Sequence, residues 1–302
     1  MIFYKDIIEV RVNGKNLLKA KLAKFLFKLQ CKTFDSLVKL DQNKKIIVDV
    51  FICKINSLKI TSIKNDSVII NINLDSPYKL SLAYILQIWS LINNSLIVHG
   101  GIYRDKNSDF ILTGEGGVGK THKIISSCLQ NKQPFMGDDL TLLSGIYAYP
   151  IVRPLCIYPV HKNIQNLENI FKNKLKERNN IVLKIKRKVL SYLASLFPKL
   201  EFIFLKSYEN EYSSVSWAYI SPKRLGLNVY LGSVNISGFI ALVKEENNIK
   251  VSSNKRDIVK GTLYEFNFYE KELNFLSQTF HNKPFDEYIY EKVDFVIENK
   301  SL

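Results

Sequence analysis

Residues 110–121, Phe-Ile-Leu-Thr-Gly-Glu-Gly-Gly-Val-Gly-Lys-Thr, constrain this chain more than any other stretch. An apolar strand, Phe110–Thr113, runs straight into a glycine turn that matches G-x-x-x-x-G-K-[ST]. A helix is predicted to follow through about Asn131, and Pro134 marks its end. Glycines let the backbone curl so that successive N–H groups point into one concavity and hold phosphate oxygens. The following helix adds its positive end to the same place. On this reading Gly114, Glu115, Gly116, Gly117, Val118, Gly119, Lys120 and Thr121 cradle a nucleotide, Lys120 bridging the terminal phosphates and Thr121 offering its hydroxyl to Mg2+. The alternative is a glycine turn that binds nothing. The strand before it and the helix after it argue for the site.

The next feature is acidic. Phe135–Leu143 is predicted as a strand with Asp138 and Asp139 in its middle, 18 residues beyond Lys120. That distance holds one helix and a short return, so the strand is expected to neighbour the loop-bearing one and bring at least one carboxylate to the nucleotide. Phosphoryl transfer to an alcohol needs a metal ligand and a base. Adjacent carboxylates can divide those tasks, because crowded negative charge and a metal push their pKa values apart. A helix N-cap or a solvated turn is the plainer reading. The apolar flanks Phe135, Met136 and Leu140–Leu143 suit it less well.

Around this centre the chain reads as α/β. Ile7–Val12, Lys45–Ile55 and Val68–Leu74 are β-branched and partly alternating, and Leu17–Leu29 has helical spacing. Pro77 opens a predicted helix over Tyr78–Asn94, followed by a strand at Leu96–Tyr103 and a polar turn at Arg104–Asp109. Further strands are predicted at Phe239–Val243 and around Leu263–Phe268, and a short helix near Lys271–Asn282. Strands alternating with helices from residue 96 onward imply an α/β core. The expected division is a strand-rich subdomain over residues 1–77 and a nucleotide-binding domain over residues 78–302, with a helical insertion at about 160–200.

The segments Leu-Ile-Val-His-Gly-Gly-Ile-Tyr (96–103), Phe110–Thr121 and Phe-Met-Gly-Asp-Asp-Leu-Thr-Leu-Leu (135–143) agree in order and spacing with one known family. They resemble the nucleotide-binding core of HPr kinase/phosphorylase and its relatives, which include lasso-peptide maturation kinases and, more distantly, ATP-dependent phosphoenolpyruvate carboxykinases. The resemblance covers about Tyr78–Pro154 and is fainter over Ser216–Glu245 and Gly261–His281. It implies a P-loop kinase core of the HPr kinase/carboxykinase type, with a mixed central sheet, a strand-rich N-terminal region and a basic helical insertion. By the same resemblance Asp138 is the base on the acceptor hydroxyl, Asp139 lies at or beside Mg2+, and His99 falls at the active-site histidine. On residues alone, His99 at a strand end reads as a structural hydrogen-bonding group. Arg153 lies where related kinases keep an arginine near the nucleotide, and an anion-binding role stands beside a surface ion pair. Lys223 and Arg224 are a weaker phosphate-contacting pair. The arginine- and glycine-rich signature of true HPr kinases is absent, so recognition of HPr and the reverse phosphorylase reaction are not implied. An N-K-x-D guanine signature is absent as well, which favours ATP.

Charge bears on the partner. The formal net charge is +15, and between His161 and Lys199 there are ten Lys/Arg and two Glu. Within that segment Val182, Ile185, Val189, Leu193 and Leu196 share one helical face, while Lys184, Lys186, Arg187 and Lys188 take the other. A solvated basic face is the plain reading. The functional one is a docking surface for an acidic acceptor, or peripheral contact with anionic membrane through residues 182–199. Aromatic residues are not interleaved with the basic ones, so nucleic acid is the least favoured partner. The apolar stretch Leu80–Ile92, interrupted by Gln87, is too short to span a bilayer. Met1–Asp6 lacks the pattern of a secretory leader, and Cys31, Cys53, Cys128 and Cys156 stand apart in no metal-like pairing. A cytoplasmic protein is expected, with reduced thiols.

These readings converge on an ATP- and Mg2+-dependent kinase acting on a hydroxyl, either a serine of a peptide or protein or a sugar. The alternative is an ATP-binding regulatory module without phosphotransfer.

Overall fold

The computed structural model describes residues 2–4, 7–33, 44–54, 56–157, 211–213, 218–246 and 248–299. The expected basic helix over 182–199 lies outside these residues.

The N-terminal quarter forms a five-stranded sheet. Its strands β1 (Ile2–Tyr4), β2 (Ile8–Gly14), β3 (Lys45–Ile52), β4 (Ser57–Ile63) and β5 (Ser67–Leu74) lie in the order β1-β2-β3-β5-β4. The central strands β2, β3 and β5 are parallel, and the two edge strands run antiparallel to them. Period-2 alternation sets this up: Ile46, Val48, Val50 and Ile52 of β3 line one buried face with Val68, Ile70, Ile72 and Leu74 of β5. Helix α1 (Leu17–Thr33) makes the crossover from β2 to β3 that a parallel pair requires.

The expected helix over Tyr78–Asn94 begins later than predicted, because a 3-10 turn at Pro77–Lys79 precedes α2 (Leu82–Ile92). Every residue of α2 is buried, as a helix apolar on all sides must be, and its polar Gln87 and Ser90 each make a hydrogen bond inside the fold. It packs on β6 (Leu96–Asp105) and on α5, a helix near the C-terminus (Glu270–His281).

The second sheet carries the glycine turn. A tight hairpin joins β6 to β7 (Ser108–Gly114), so the polar turn expected at Arg104–Asp109 shrinks to Lys106 and Asn107. Arg104 and Asp109 face each other instead, in a bidentate ion pair with both contacts at 2.7 Å. Helix α3 (Lys120–Gln130) follows the turn, then β8 (Leu140–Ser144) and β9 (Tyr147–Ile151). A separate antiparallel ribbon consists of β10 (Leu155–Ile157), β11 (Glu211–Ser213) and β12 (Ala218–Ile220). The main sheet is completed by β13 (Val234–Glu245) and β14 (Asn248–Ser252), in the order β14-β13-β7-β6-β8-β9. The pair β13–β7 is parallel. The first residues of β13 also pair with β9, Val234 opposite Ala148, which folds the sheet back on itself. The protein is thus a mixed α/β structure, and its main sheet is mixed in direction.

Three expectations are corrected here. The acid-bearing segment does not neighbour the loop-bearing strand: β6 lies between β7 and β8, because the two-residue hairpin pairs β6 with β7 first. The acids precede β8 rather than sitting in its middle, because Gly137, at φ 82°, breaks the extended run. Leu263–Phe268 is no strand. Helix α4 (Lys255–Leu263) continues into a 3-10 segment, Tyr264–Tyr269, that leads to α5.

The C-terminal helix α6 (Phe285–Glu298) seals the structure with Phe285, Tyr288, Ile289, Val293 and Val296. One buried cluster runs from Ile8 and Val48 through Trp89 of α2 to Ile97 of β6 and Val293. A second cluster gathers Leu112, Val118, Ile124, Phe135 and Leu242 around the glycine turn. Among the described residues Cys31, Cys53 and Cys128 are free thiols, and burial pushes the Cys128 thiol up to about 11. No helix among the described residues is long and apolar enough to cross a membrane.

Candidate active site

The glycine turn is a sharp bend between β7 and α3. Gly119 is the N-cap of α3 in the left-handed region, at φ 88°, and Gly117 sits at φ 79°. A β-carbon at Gly117 would meet no atom within 4 Å, so the backbone angle rather than crowding calls for glycine there. L residues rarely hold these angles, which explains glycine at both places. With the helix N-terminus beneath it, this is a cradle of the right shape and sign for a phosphate chain.

Lys120 folds over the loop. Its Nζ donates to the carbonyl oxygens of Gly114 at 2.7 Å and Glu115 at 2.9 Å, and the side chain is buried. Burial brings its pKa down to about 8, opposed by the negative charges of Asp138 and Glu265. Glu115 pairs with Lys260 at 2.6 Å, but both side chains are well exposed, so the pair contributes little.

Thr121 Oγ1 donates to Asp138 Oδ2 at 2.9 Å. This contact ties the first turn of α3 to the loop before β8 across the intervening strand, so one carboxylate of the pair lies beside the glycine turn. Asp138 is 4% exposed. Burial raises its pKa, against the opposing effects of Arg153, the Thr121 hydrogen bond and Lys120. A carboxylate so placed accepts a proton more readily than a solvated one.

Asp139 turns the other way. Its Oδ1 lies 3.1 Å from His99 Nε2, and its Oδ2 forms an ion pair with Arg153. Oδ2 is buried against Arg153 and accepts no hydrogen bond among the described residues. Arg153, expected either at an anion or in an ion pair, is seen in the ion pair. His99 is buried at the middle of β6, its Nδ1 3.3 Å from the Gly261 carbonyl oxygen. Burial, with the nearby Lys120 charge, pushes its pKa down to about 3, while both ring nitrogens face acceptor oxygens. Two hydroxyls fix the backbone of this strand: Thr113 Oγ1 donates to the His99 carbonyl at 2.9 Å and Thr141 Oγ1 to the Gly100 carbonyl at 2.8 Å.

The sequence reading brought together Lys120, Thr121, Asp138, Asp139, His99 and Arg153, and the fold does so too. Lys223 and Arg224 are exposed on a 3-10 turn, Pro222–Leu225. What the sequence reading missed is the other wall. Tyr264 stacks on His99 with ring centroids 5.4 Å apart, and a β-carbon at Gly116 would lie 2.8 Å from the Tyr264 hydroxyl. Glu265 is near enough for its charge to act on both Lys120 and His99. The aromatic run in 264–269 looked like a strand, and no local pattern marks those residues as facing the loop.

Among the described residues no group of three or more His, Cys, Asp or Glu forms a metal cage. Mg2+ bound with a nucleotide needs none, since it draws most of its ligands from phosphates and water and takes one or two from protein. The Thr121 hydroxyl beside a carboxylate is a donor set that fits it. No protein-family model matches this sequence, and no curated protein matches it.

Proposed function

We propose that this protein is an ATP- and Mg2+-dependent kinase that transfers the γ-phosphoryl group to a hydroxyl, built on a P-loop core of the HPr kinase/carboxykinase type. The observation that carries the reading is the Thr121–Asp138 hydrogen bond, which sets an oriented hydroxyl and a buried carboxylate beside the glycine turn. The loop Gly114–Gly119 holds phosphate oxygens through its backbone, and Lys120 exchanges its contacts with the loop carbonyls for the β- and γ-phosphates.

Asp138 is the proton acceptor. As the acceptor oxygen bonds to the γ-phosphorus, the bond from that phosphorus to the bridging oxygen breaks, ADP leaves with that electron pair, and the hydroxyl proton passes to Asp138. Bound Mg2+ supplies charge neutralisation on the phosphates. The Thr121 hydroxyl is the protein group that would hold it. Asp139, which lies against both groups, positions His99 and Arg153.

The test is calorimetry with ATP and Mg2+, followed by ADP release against a panel of hydroxyl-bearing acceptors. Micromolar binding lost in Lys120→Ala, with acceptor-dependent ADP release lost in Asp138→Asn, is the expected result. Binding that never leads to ADP release would make the protein a nucleotide sensor instead, and absence of binding would remove both readings.

A further inference from the structure

Helix α1 keeps one face in the core and turns another to solvent. Ala23 and Phe27 enter the main buried cluster, while Leu17, Lys21 and Lys24, at i, i+4 and i+7, share an outward face. Leu17 is 65% exposed and Leu18 51%, and they are the first two residues of the helix. Asn16 caps this end, its Oδ1 accepting from the Lys19 N–H at 3.1 Å, so both leucines are held in an ordered first turn. A single exposed leucine is ordinary on a protein surface. Two adjacent ones at the tip of a lysine-rich helix make an apolar point with a cationic collar.

The charge here is one-sided. Residues 15–33 contain six lysines and no acidic residue. Among the described residues no carboxylate pairs with Lys15, Lys19, Lys21 or Lys24. Stability does not ask for this arrangement. The start of a helix is the positive end of its dipole, where acids stabilise and lysines do the reverse, yet Lys15, Lys19 and Lys21 crowd that end of α1. An external anion relieves the repulsion. The same partner has to accept two apolar side chains, which narrows its class. A bilayer with acidic headgroups does both: its surface potential attracts the lysines, and the leucines enter the boundary between headgroups and acyl chains. Nucleic acid offers no apolar layer, and the aromatic residues of α1, Phe25 and Phe27, are buried and cannot stack on a base.

We propose that the N-terminal end of α1 docks on an anionic phospholipid membrane, with Leu17 and Leu18 inserted and Lys15, Lys19, Lys21 and Lys24 on the lipid charge. This contact is independent of the kinase reading. It also differs in place from the membrane contact expected at residues 182–199, since it lies in the N-terminal region.

Cosedimentation of the full chain tests it, with vesicles of phosphatidylcholine alone and of phosphatidylcholine and phosphatidylglycerol in equal parts. Binding is expected to the mixed vesicles only, and to weaken as salt is raised. Lys19→Glu and Lys21→Glu should each weaken it by about fivefold or more. Leu17→Ser with Leu18→Ser should weaken it by about tenfold with the charge unchanged. In Leu17→Trp the new indole should shift its emission to the blue on the mixed vesicles, beyond any change in the parent. All these positions are exposed, so the thermal midpoint should stay with the parent's, which separates lost docking from lost folding. A parent that does not sediment with the mixed vesicles would overturn the proposal. So would lysine variants that bind as the parent does, because the contact would then lie elsewhere in the chain. Binding indifferent to the serine pair would overturn it as well, leaving a plain cationic patch for an acidic protein or nucleic acid.

Discussion

Gly101 and Asp138 pack so closely that a β-carbon at position 101 would lie 2.4 Å from the Asp138 Cα. The same carbon would meet the Gly137 carbonyl oxygen at 2.5 Å and Ile124 Cδ1 at 2.7 Å. Two of these three neighbours are backbone and cannot turn aside. Strand β6 thus sets how near the acid-bearing loop approaches Thr121. Gly101→Ala is expected to push that loop outward, destabilise the fold by about 1–3 kcal/mol through overpacking, and lose phosphoryl transfer at temperatures where the protein is still folded. Urea unfolding paired with ADP release reads both effects. Unchanged turnover in a folded variant would show that the approach has no functional weight.

Lys120 gives a proton signature. Its pKa of about 8 is a consequence of burial, and bound phosphates raise it again by surrounding the amine with negative charge. ATP binding near pH 8 should therefore draw up to about half a proton from solution, seen as a calorimetric heat that depends on the buffer's ionisation enthalpy. Affinity should fall as pH rises through 8 and above. Lys120→Arg, charged at every accessible pH, should bind without uptake. The same shift has a stability counterpart of definite sign. A lysine whose folded pKa is lowered leaves the unfolded chain binding more protons between the folded and ordinary values, so its destabilising contribution is relieved as pH rises through that window.

The strand–loop–helix unit was legible because each part of it is local: an apolar run, glycines where left-handed angles are needed, and a lysine and threonine at fixed offset. The apolar faces of β3 and β5 were legible for the same reason, being written at period 2. Sheet order was not. That β6 intervenes between β7 and β8 follows from a hairpin closed by Lys106 and Asn107, two residues read as part of a longer turn. Tyr264 and Glu265 escaped notice because their nearness to Lys120 arises from α4 packing across β6 and β7, a contact more than a hundred residues apart in sequence. The resemblance assigns the two acids different roles, but their contacts were beyond the sequence. Adjacent carboxylates look interchangeable until one is seen bonded to Thr121 and the other to Arg153.

That division predicts different metal dependences. Thr121→Ala removes the hydroxyl available to Mg2+ and should raise the Mg2+ concentration needed for half-maximal ATP binding by about tenfold, the worth of one good polar contact. Asp139→Asn should leave that requirement within about twofold while lowering turnover, because what it disturbs is the placement of His99 and Arg153. A Mg2+ titration of each variant separates the cases. A large shift in Asp139→Asn with none in Thr121→Ala would move the metal to the second acid.

Asp138 should trade stability for activity. Burial is the largest influence on its carboxyl and raises its pKa, so in the folded state the charged form is the disfavoured one. The sign follows from linkage: a carboxyl with a raised folded pKa contributes most to stability at low pH, and that contribution is lost as pH rises through the folded value. Asp138→Asn keeps an oxygen that accepts from Thr121 and removes the charge. The variant should therefore unfold at higher urea concentration than the parent at neutral pH, by about 1 kcal/mol, with the gap closing toward acid pH. Its phosphoryl transfer should fall by about a hundredfold or more, the usual contribution of a positioned base. A variant that loses stability at neutral pH would mean that Lys120 and Arg153 outweigh burial at this carboxylate, and that its charge holds the site together.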